Sequence, residues 1–457
     1  MVGISCCVVA FVAAFLLTWR SAVHGIGVVL TVGYFYGIIR ANWPDTASHF
    51  MFDAAVLGFL LTYFATGGLK AFRDPNQLDL QRWSFVLIGW PILMFLLPIQ
   101  DPIIQLVGLR GNIFLLPFML IGARLTRDEA NGVAMWLCLL NHVTFVFAIA
   151  EYFMGVPAFF PENQVTELIY RSRDVAGGGG ALLRIPATFS NSHSYGGTMV
   201  ATIPWLLGAW IQARLVDWQR LLLLSGTAVA MVGVFLCAAR TPLILLAVVV
   251  GTATFSGHLR GTVWLVWGLL ILGVAWLVSS DDRMQRFTSL QDTEHVIERI
   301  EGSVNKNFLE LLVTYPFSNG LGAGGTSIPH FLQDRVRNPV AMENEYSRIL
   351  LEQGLAGLFI WVAFIIWFLG RRPMDSRDSW QFGKTILWMF TLGSFAMAVT
   401  GIGLMTAIPL SMMFFLGIGF VTAPPVLVRR VRSKSKPVLA AGAHAHAIAP
   451  SSNLGGS

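Results

Sequence analysis

The chain has 457 residues, 55% of them hydrophobic and 12% charged, whereas an ordinary soluble domain carries about 25% charged residues. That balance excludes a water-soluble fold, and the formal net charge of +6 is scattered through short loops rather than gathered on one face as nucleic-acid binding requires. Cys6, Cys7, Cys138 and Cys237 all lie in apolar runs without metal-ligand spacing, so they read as packing residues and imply no disulfide framework.

In chain order, apolar segments fall at about 2–18, 25–39, 51–68, 85–100, 106–123 and 131–155, then 198–213, 219–239, 241–255 and 261–279, and finally 347–370, 384–401 and 404–422. Their lengths approach the roughly 20 residues that cross a hydrocarbon core. None alternates as a barrel strand does, and backbone groups at that depth must be satisfied within a helix. The expectation is an all-α polytopic integral membrane protein of about 12 or 13 transmembrane helices, with residues 1–422 forming a single transmembrane domain. The first run has no basic leader and no small-residue cleavage site, so it reads as a retained helix.

Basic residues set the sidedness. Arg429, Arg430, Arg432, Lys434 and Lys436 follow the last segment and make 423–457 a disordered basic cytoplasmic tail, in which His444 and His446 read as inert. Counting back, the loops with Arg371, Arg372, Arg377 and Lys384, with Arg214 and Arg220, with Arg124 and Arg127, and with Lys70, Arg73 and Arg82 share that side. Two long loops, about 156–197 and about 280–346, then lie on the outer face.

Against the positive-inside trend, the outer side carries Arg171, Arg173, Arg184, Arg240, Arg283, Arg286, Arg299, Arg335, Arg337 and Arg348. A guanidinium fork matches two phosphate oxygens at once and stays charged at any relevant pH. Loop acids such as Glu162, Glu167 and Asp281 offer these arginines an alternative partner, as do lipid headgroups. Arg240, at the end of an apolar run with no acid nearby in sequence, is the strongest anion candidate. The first loop closes with a polar, aromatic and Gly-rich run from Arg184 to Gly197 that includes Asn191, His193 and Tyr195. That run has the composition of a sugar-binding edge, or of a helix start capped by Ser or Asn.

The second loop runs from Arg299 through Tyr315-Pro316 and a glycine turn at Gly320, Gly322, Gly324 and Gly325 to Glu343-Asn344-Glu345-Tyr346. The turn lacks the Lys-Ser/Thr ending of a nucleotide loop. A helix is expected from near Ala341, on which Glu345, Arg348 and Glu352 recur at three- and four-residue spacing and form a mutual ion network. On that helix Glu343 lies about 200° round from Glu345 and is free to address a site.

The order of these residues resembles the O-antigen ligase and polymerase superfamily of membrane glycosyltransferases: Arg184 with Thr-Phe-Ser-Asn-Ser, Arg240 at a membrane helix end, Arg299, Pro316 with Gly-x-Gly, and Glu343-Asn-Glu-Tyr before a helix bearing Gly354. The resemblance covers roughly residues 100–370. It implies an all-helical fold like the C-type glycosyltransferases, a bacterial plasma-membrane location with the active site facing the periplasm, and use of sugars linked to undecaprenyl pyrophosphate without a metal or other cofactor. Partners implied are a lipid-linked oligosaccharide donor, a glycan or lipid A-core acceptor, and membrane lipids, with no nucleic acid.

Where the family pattern has His-Asn, this chain has Glu343-Asn344. A carboxylate can act as general base, but nearby arginines lower its pKa and weaken it unless burial opposes them. Glu343 is therefore a base or a hydrogen-bonding partner that orients the acceptor hydroxyl. The implied activity is polymerisation of a surface polysaccharide, with ligation of the glycan to lipid A core as the alternative. Arg240, Arg299 and Glu343 carry the chemistry, while Arg184, Asn191, His193, Tyr195, Arg286, Asn344 and Tyr346 bind substrate. A lipid-linked sugar flippase or transporter shares the many helices, but places ionisable groups along a mid-membrane path; Asp53, His142 and Glu151 are the few such groups here.

Overall fold

The structure, a computed structural model, describes residues 2–68, 77–171, 183–212, 215–256, 307–340, 342, 344–374 and 378–423. Every regular element among them is helical. The N-terminal part comprises α1 (Val2–Arg20), α2 (Ala22–Asn42), a 3₁₀ turn (Thr46–Phe50) leading into α3 (Met51–Ala65), α4 (Leu78–Phe95), α5 (Pro102–Ile113), α6 (Pro117–Gly122) and α7 (Arg127–Met154). After α8 (Glu167–Arg171) come α9 (Ser192–Trp210), α10 (Asp217–Leu236), α11 (Arg240–Phe255) and α12 (Asn307–Thr314). A second 3₁₀ turn (His330–Arg335) precedes α13 (Glu345–Leu369), α14 (Gln381–Met397) and α15 (Leu410–Thr422).

Each predicted segment meets a helix except 261–279, which lies outside the described residues, as does the tail beyond Ala423. Among the described residues, seven helices are long and apolar enough to cross a membrane, the pair α5–α6 acting as one. The others are shorter or less apolar. Exposed apolar side chains such as Ile4, Leu16 and Trp19 on α1 and Phe359 and Ile366 on α13 suit a lipid solvent. The chain is thus an all-α, multi-pass membrane protein.

Two helix starts are fixed in the same way, α9 by the Asn cap that the sequence offered as one reading and α13 later than expected. Helix α9 begins at Ser192 because the Asn191 side chain accepts the Ser194 N–H at 2.8 Å, and α13 begins at Glu345 because Asn344 accepts the Ser347 N–H at 2.7 Å. In each, an Asn cap satisfies an end donor and fixes where the helix can start. Glu343 therefore precedes α13, and the helical angle between it and Glu345 does not apply.

Helix α9 is the hub of the bundle and touches α7, α10, α11, α14 and α15. It is buried from Tyr195 through Ala209, as befits a helix enclosed on all sides. Glycines permit the approach: a Cβ on Gly196 would strike the Cys237 thiol, and one on Gly208 would strike Trp380.

The helix ends sort into two groups. At one end Arg371 meets Asp79, Arg127 and Lys384 meet Asp378, and Gln212 bonds to Ser379, all from loops assigned to one side by their basic residues. At the other, here the loop end, Asn42 bonds to Phe159, Ile38 to Thr188, and Gln100 to Asn319 and Arg337.

Candidate functional site

Among the described residues, the N-terminal turn of α13 carries the densest buried charge. Arg348 is fully buried and lies 2.7 Å from both Glu345 and Glu352. The i,i+3 and i,i+4 spacing brings these side chains onto one helix face, and Asn112 of α5 completes the group. Its amide donates to Glu352 at 2.7 Å, and its carbonyl accepts from Arg348 at 3.1 Å and from Gln353 at 2.8 Å. The second oxygen of Glu345 accepts the Gly403 and Leu404 N–H groups at 2.7 and 3.1 Å. Arg348 is thus answered by both carboxylates and the carboxylates by further donors, which helps to keep ions in an apolar interior, although two acids share one cation.

The glycine turn of the second loop packs directly on this cluster. A Cβ on Gly324 would lie 2.8 Å from Glu352 Oε1 and 2.9 Å from Arg348 Cγ. At Gly354, with φ +69°, α13 breaks, and the loop supplies what the break leaves open. Asn319 N–H donates to Leu351 O at 2.8 Å, Ser318 Oγ to Glu352 O at 2.9 Å, and Leu355 N–H to Pro316 O at 3.0 Å. Trp90 Nε1 donates to Gln353 O at 3.0 Å. A side chain at Gly354 would crowd the Phe317 backbone at 2.9 Å and strain the left-handed φ.

The first loop enters the bundle rather than lying on it. Ile185, Ala187, Thr188 and Phe189 are all buried. Ala187 holds a left-handed φ of 53°, and its N–H donates to Glu151 at 2.9 Å. Ala238 in the α10–α11 turn likewise holds a left-handed φ, of 47°. The Arg184 guanidinium is close enough to Cys237 in that turn to act on its thiol electrostatically. Non-glycine residues in this region cost about 1–3 kcal/mol each and persist only where the surroundings over-determine them.

The candidates from sequence fall as follows. Arg184 and Arg240 are both half-buried; Arg184 acts electrostatically on Cys237, and Arg240 opens α11 three residues after it. Packing of Leu245 against Gly393 sets α11 beside α14; at about 1.5 Å rise per residue, Arg240 is level with the Met397–Gly401 turn, where Glu345 N–H bonds to Ala398 O at 3.0 Å. His193 is exposed in the first turn of α9. Tyr195 is fully buried, its ring 5.6 Å from Phe189, and Tyr346 donates to Phe395 O at 2.7 Å. Asn191 and Asn344 serve as the two caps. Arg286, Arg299 and Glu343 lie outside the described residues.

Sequence reasoning did not single out Asn112, Arg40, His49 or His330. Asn112 had a signal, a lone amide in an apolar run; the others had none, because their meeting depends on tertiary placement. Among the described residues no three His, Cys, Asp or Glu side chains gather as a metal site.

Fold and site together define a class: a multi-pass helical membrane protein whose buried ion cluster and strained turns share one end of the bundle. The chain matches no protein-family model, and no curated protein is significantly similar to it.

Proposed function

We propose that the chain is a membrane glycosyltransferase that uses an undecaprenyl-pyrophosphate-linked oligosaccharide to polymerise a surface polysaccharide at the periplasmic face of the bacterial plasma membrane. The observation that supports this reading most is that Arg184 in the first loop acts electrostatically on Cys237, three residues before Arg240, with the left-handed Ala187 and Ala238 close in sequence to the two arginines. The order of motifs that resembles the O-antigen ligase and polymerase superfamily supports it, and transfer to lipid A core is the alternative within that class.

In this mechanism an acceptor hydroxyl attacks the anomeric carbon of the donor, the C–O bond to pyrophosphate breaks, and the leaving group departs as an anion. Arg240 and Arg299 hold that anion, with Arg184 and Arg286 as helpers. Because negative charge grows on the leaving group as the bond breaks, fixed guanidinium groups stabilise the transition state more than the ground state. Glu343 accepts the hydroxyl proton or orients the hydroxyl, and Asn344 holds the start of α13 next to it.

With purified protein and lipid-pyrophosphate donor, wild type yields a product ladder without added lipid A core. Arg240→Ala and Arg299→Ala abolish it while the protein still inserts; full activity in both defeats the pyrophosphate clamp. A Glu343→Gln variant with near-normal turnover eliminates the base role and leaves orientation.

One observation favours a transport reading. Glu151 is wholly buried in α7, and ten residues earlier on that helix Asn141 accepts from Tyr34 and donates to Thr202, each at 2.9 Å. Intramembrane carboxyls and amides mark pathways. Donor consumption without a gradient separates the two readings.

A further inference from the structure

A second cationic group lies at the loop end, built from the end of α2, the first 3₁₀ turn and the second loop. Arg40 lies over the Tyr36 ring, 5.0 Å from its centroid, and donates to the Tyr36 hydroxyl at 2.9 Å. Its Nε is buried without a hydrogen-bond partner, and no carboxylate among the described residues pairs with it. The acids nearby are already engaged: Asp53 binds Arg110 through both oxygens at 2.7 and 2.6 Å, and Asp45 accepts the Gly3 and Ser48 N–H groups at 2.9 and 2.7 Å.

His49, 6% exposed, comes from the turn beside Arg40. The Tyr36 hydroxyl donates to its backbone oxygen at 3.1 Å, its ring centroid is 5.2 Å from that of His330, and its Nε2 is buried without a partner. Ser327, three residues before His330, packs on Gly111 next to Arg110, and its hydroxyl is also buried and unpartnered. Burial, then the charge of Arg40, holds His330 below the ordinary histidine range. A neutral imidazole still donates one N–H and adds no repulsion to the arginine. A buried polar group without a partner is costly, and native proteins leave few of them. Arg40 and His49 leave such groups on adjoining elements, and Ser327 leaves a third in the loop that brings His330 to His49; with a guanidinium that pairs with no carboxylate among the described residues, they have the donor set and charge of an oxyanion site.

We propose that Arg40, His49, His330 and Ser327 form a site for a phosphate group, separate from Arg184 and Arg240 and independent of glycosyl transfer. The phosphate belongs to a phosphodiester lipid headgroup or is free phosphate; the chemistry recognised is the same.

The test uses the purified full chain in a neutral detergent. Inorganic phosphate is titrated in by calorimetry, and phosphatidylglycerol is compared with a neutral diacylglycerol by native mass spectrometry. Binding of one phosphate or one phosphatidylglycerol is expected. Arg40→Gln weakens it about tenfold, the loss of one charged hydrogen bond. His330→Asn, on a half-buried loop, weakens it less without altering the melting temperature, and Arg240→Gln leaves it intact. Retention of phosphatidylglycerol without phosphate binding identifies the headgroup as the source, and the converse identifies free phosphate. Absence of both in folded wild type means that the buried donors hold only water and overturns the proposal. Loss of binding in Arg240→Gln with retention in Arg40→Gln overturns it too, since the anion then sits at the donor site. Glycosyl transfer abolished by Arg240→Ala but retained in Arg40→Gln keeps the two conclusions apart.

Discussion

The two ends of the bundle handle charge differently. At the loop end, Arg348 is fully buried between two carboxylates and an asparagine, whereas Arg40 pairs with no carboxylate among the described residues. At the opposite end, Asp378 binds Lys384 at 2.8 Å with both side chains about nine-tenths buried, and the Arg371–Asp79 pair is roughly half exposed. An ion's worth to the fold depends on how far it is removed from water and how fully it is answered. Ions that are buried and answered are scaffold. A cation near the surface with no acid opposite is where a ligand belongs.

The comparison is sharpest at Arg348. Arg348→Met leaves Glu345 and Glu352 buried without their cation, and removal of one partner from such a group costs about 3–5 kcal/mol. Adding Glu352→Gln should return part of the loss, because one excess charge disappears while the amide oxygen still accepts from Asn112. Glu345 cannot be neutralised as cheaply, since it also holds the Gly403 and Leu404 N–H groups. Denaturant or thermal unfolding in detergent reads both variants. A loss below about 1 kcal/mol for Arg348→Met breaks the distinction between the ends.

The i,i+3,i+4 arrangement of Glu345, Arg348 and Glu352 was legible because local spacing alone brings these side chains together. So were most membrane segments, since length and hydropathy suffice. What pairs across the chain was not legible. Asn112 reaches Glu352 across 240 residues, and Gln100 reaches Arg337 across 237. The first loop's run read from its composition as a sugar-binding edge or a capped helix start; Asn191 does cap α9, while Thr188 and Phe189 are buried because α2 passes close by: a Cβ on Gly37 would strike the Phe189 backbone. Only the approach of two helices decides that, and no local pattern encodes it.

At the opposite end Asp378 offers an intermediate case. Burial works against its charge, but the Lys384 hydrogen bond and ammonium, the Trp380 N–H and Arg127 hold its carboxyl below the ordinary 3.8. A depressed folded pKa gives stability that is complete above about 3.8 and lost as pH falls through the folded value. Asp378→Asn is therefore expected to cost about 1.5–3 kcal/mol at pH 7. Its deficit relative to wild type should shrink towards zero in acid, whereas a pH-independent deficit would mean that packing alone is lost.

The smallest effect is expected at the exposed pair, and there the two partners differ. Asp79→Asn should change stability by no more than about 0.2–1 kcal/mol, and less in high salt, because the pair is solvated. Arg371 does more than pair with Asp79: its guanidinium lies 4.7 Å from the Trp367 ring centroid. A cation over a partly exposed indole contributes about 0.5–1 kcal/mol that salt screens little. Arg371→Ala should thus exceed Asp79→Asn, and the excess should survive 1 M salt, where the Debye length is about 3 Å. Equal, salt-sensitive losses in the two variants would assign the whole contribution to the ion pair and remove the ring from the account.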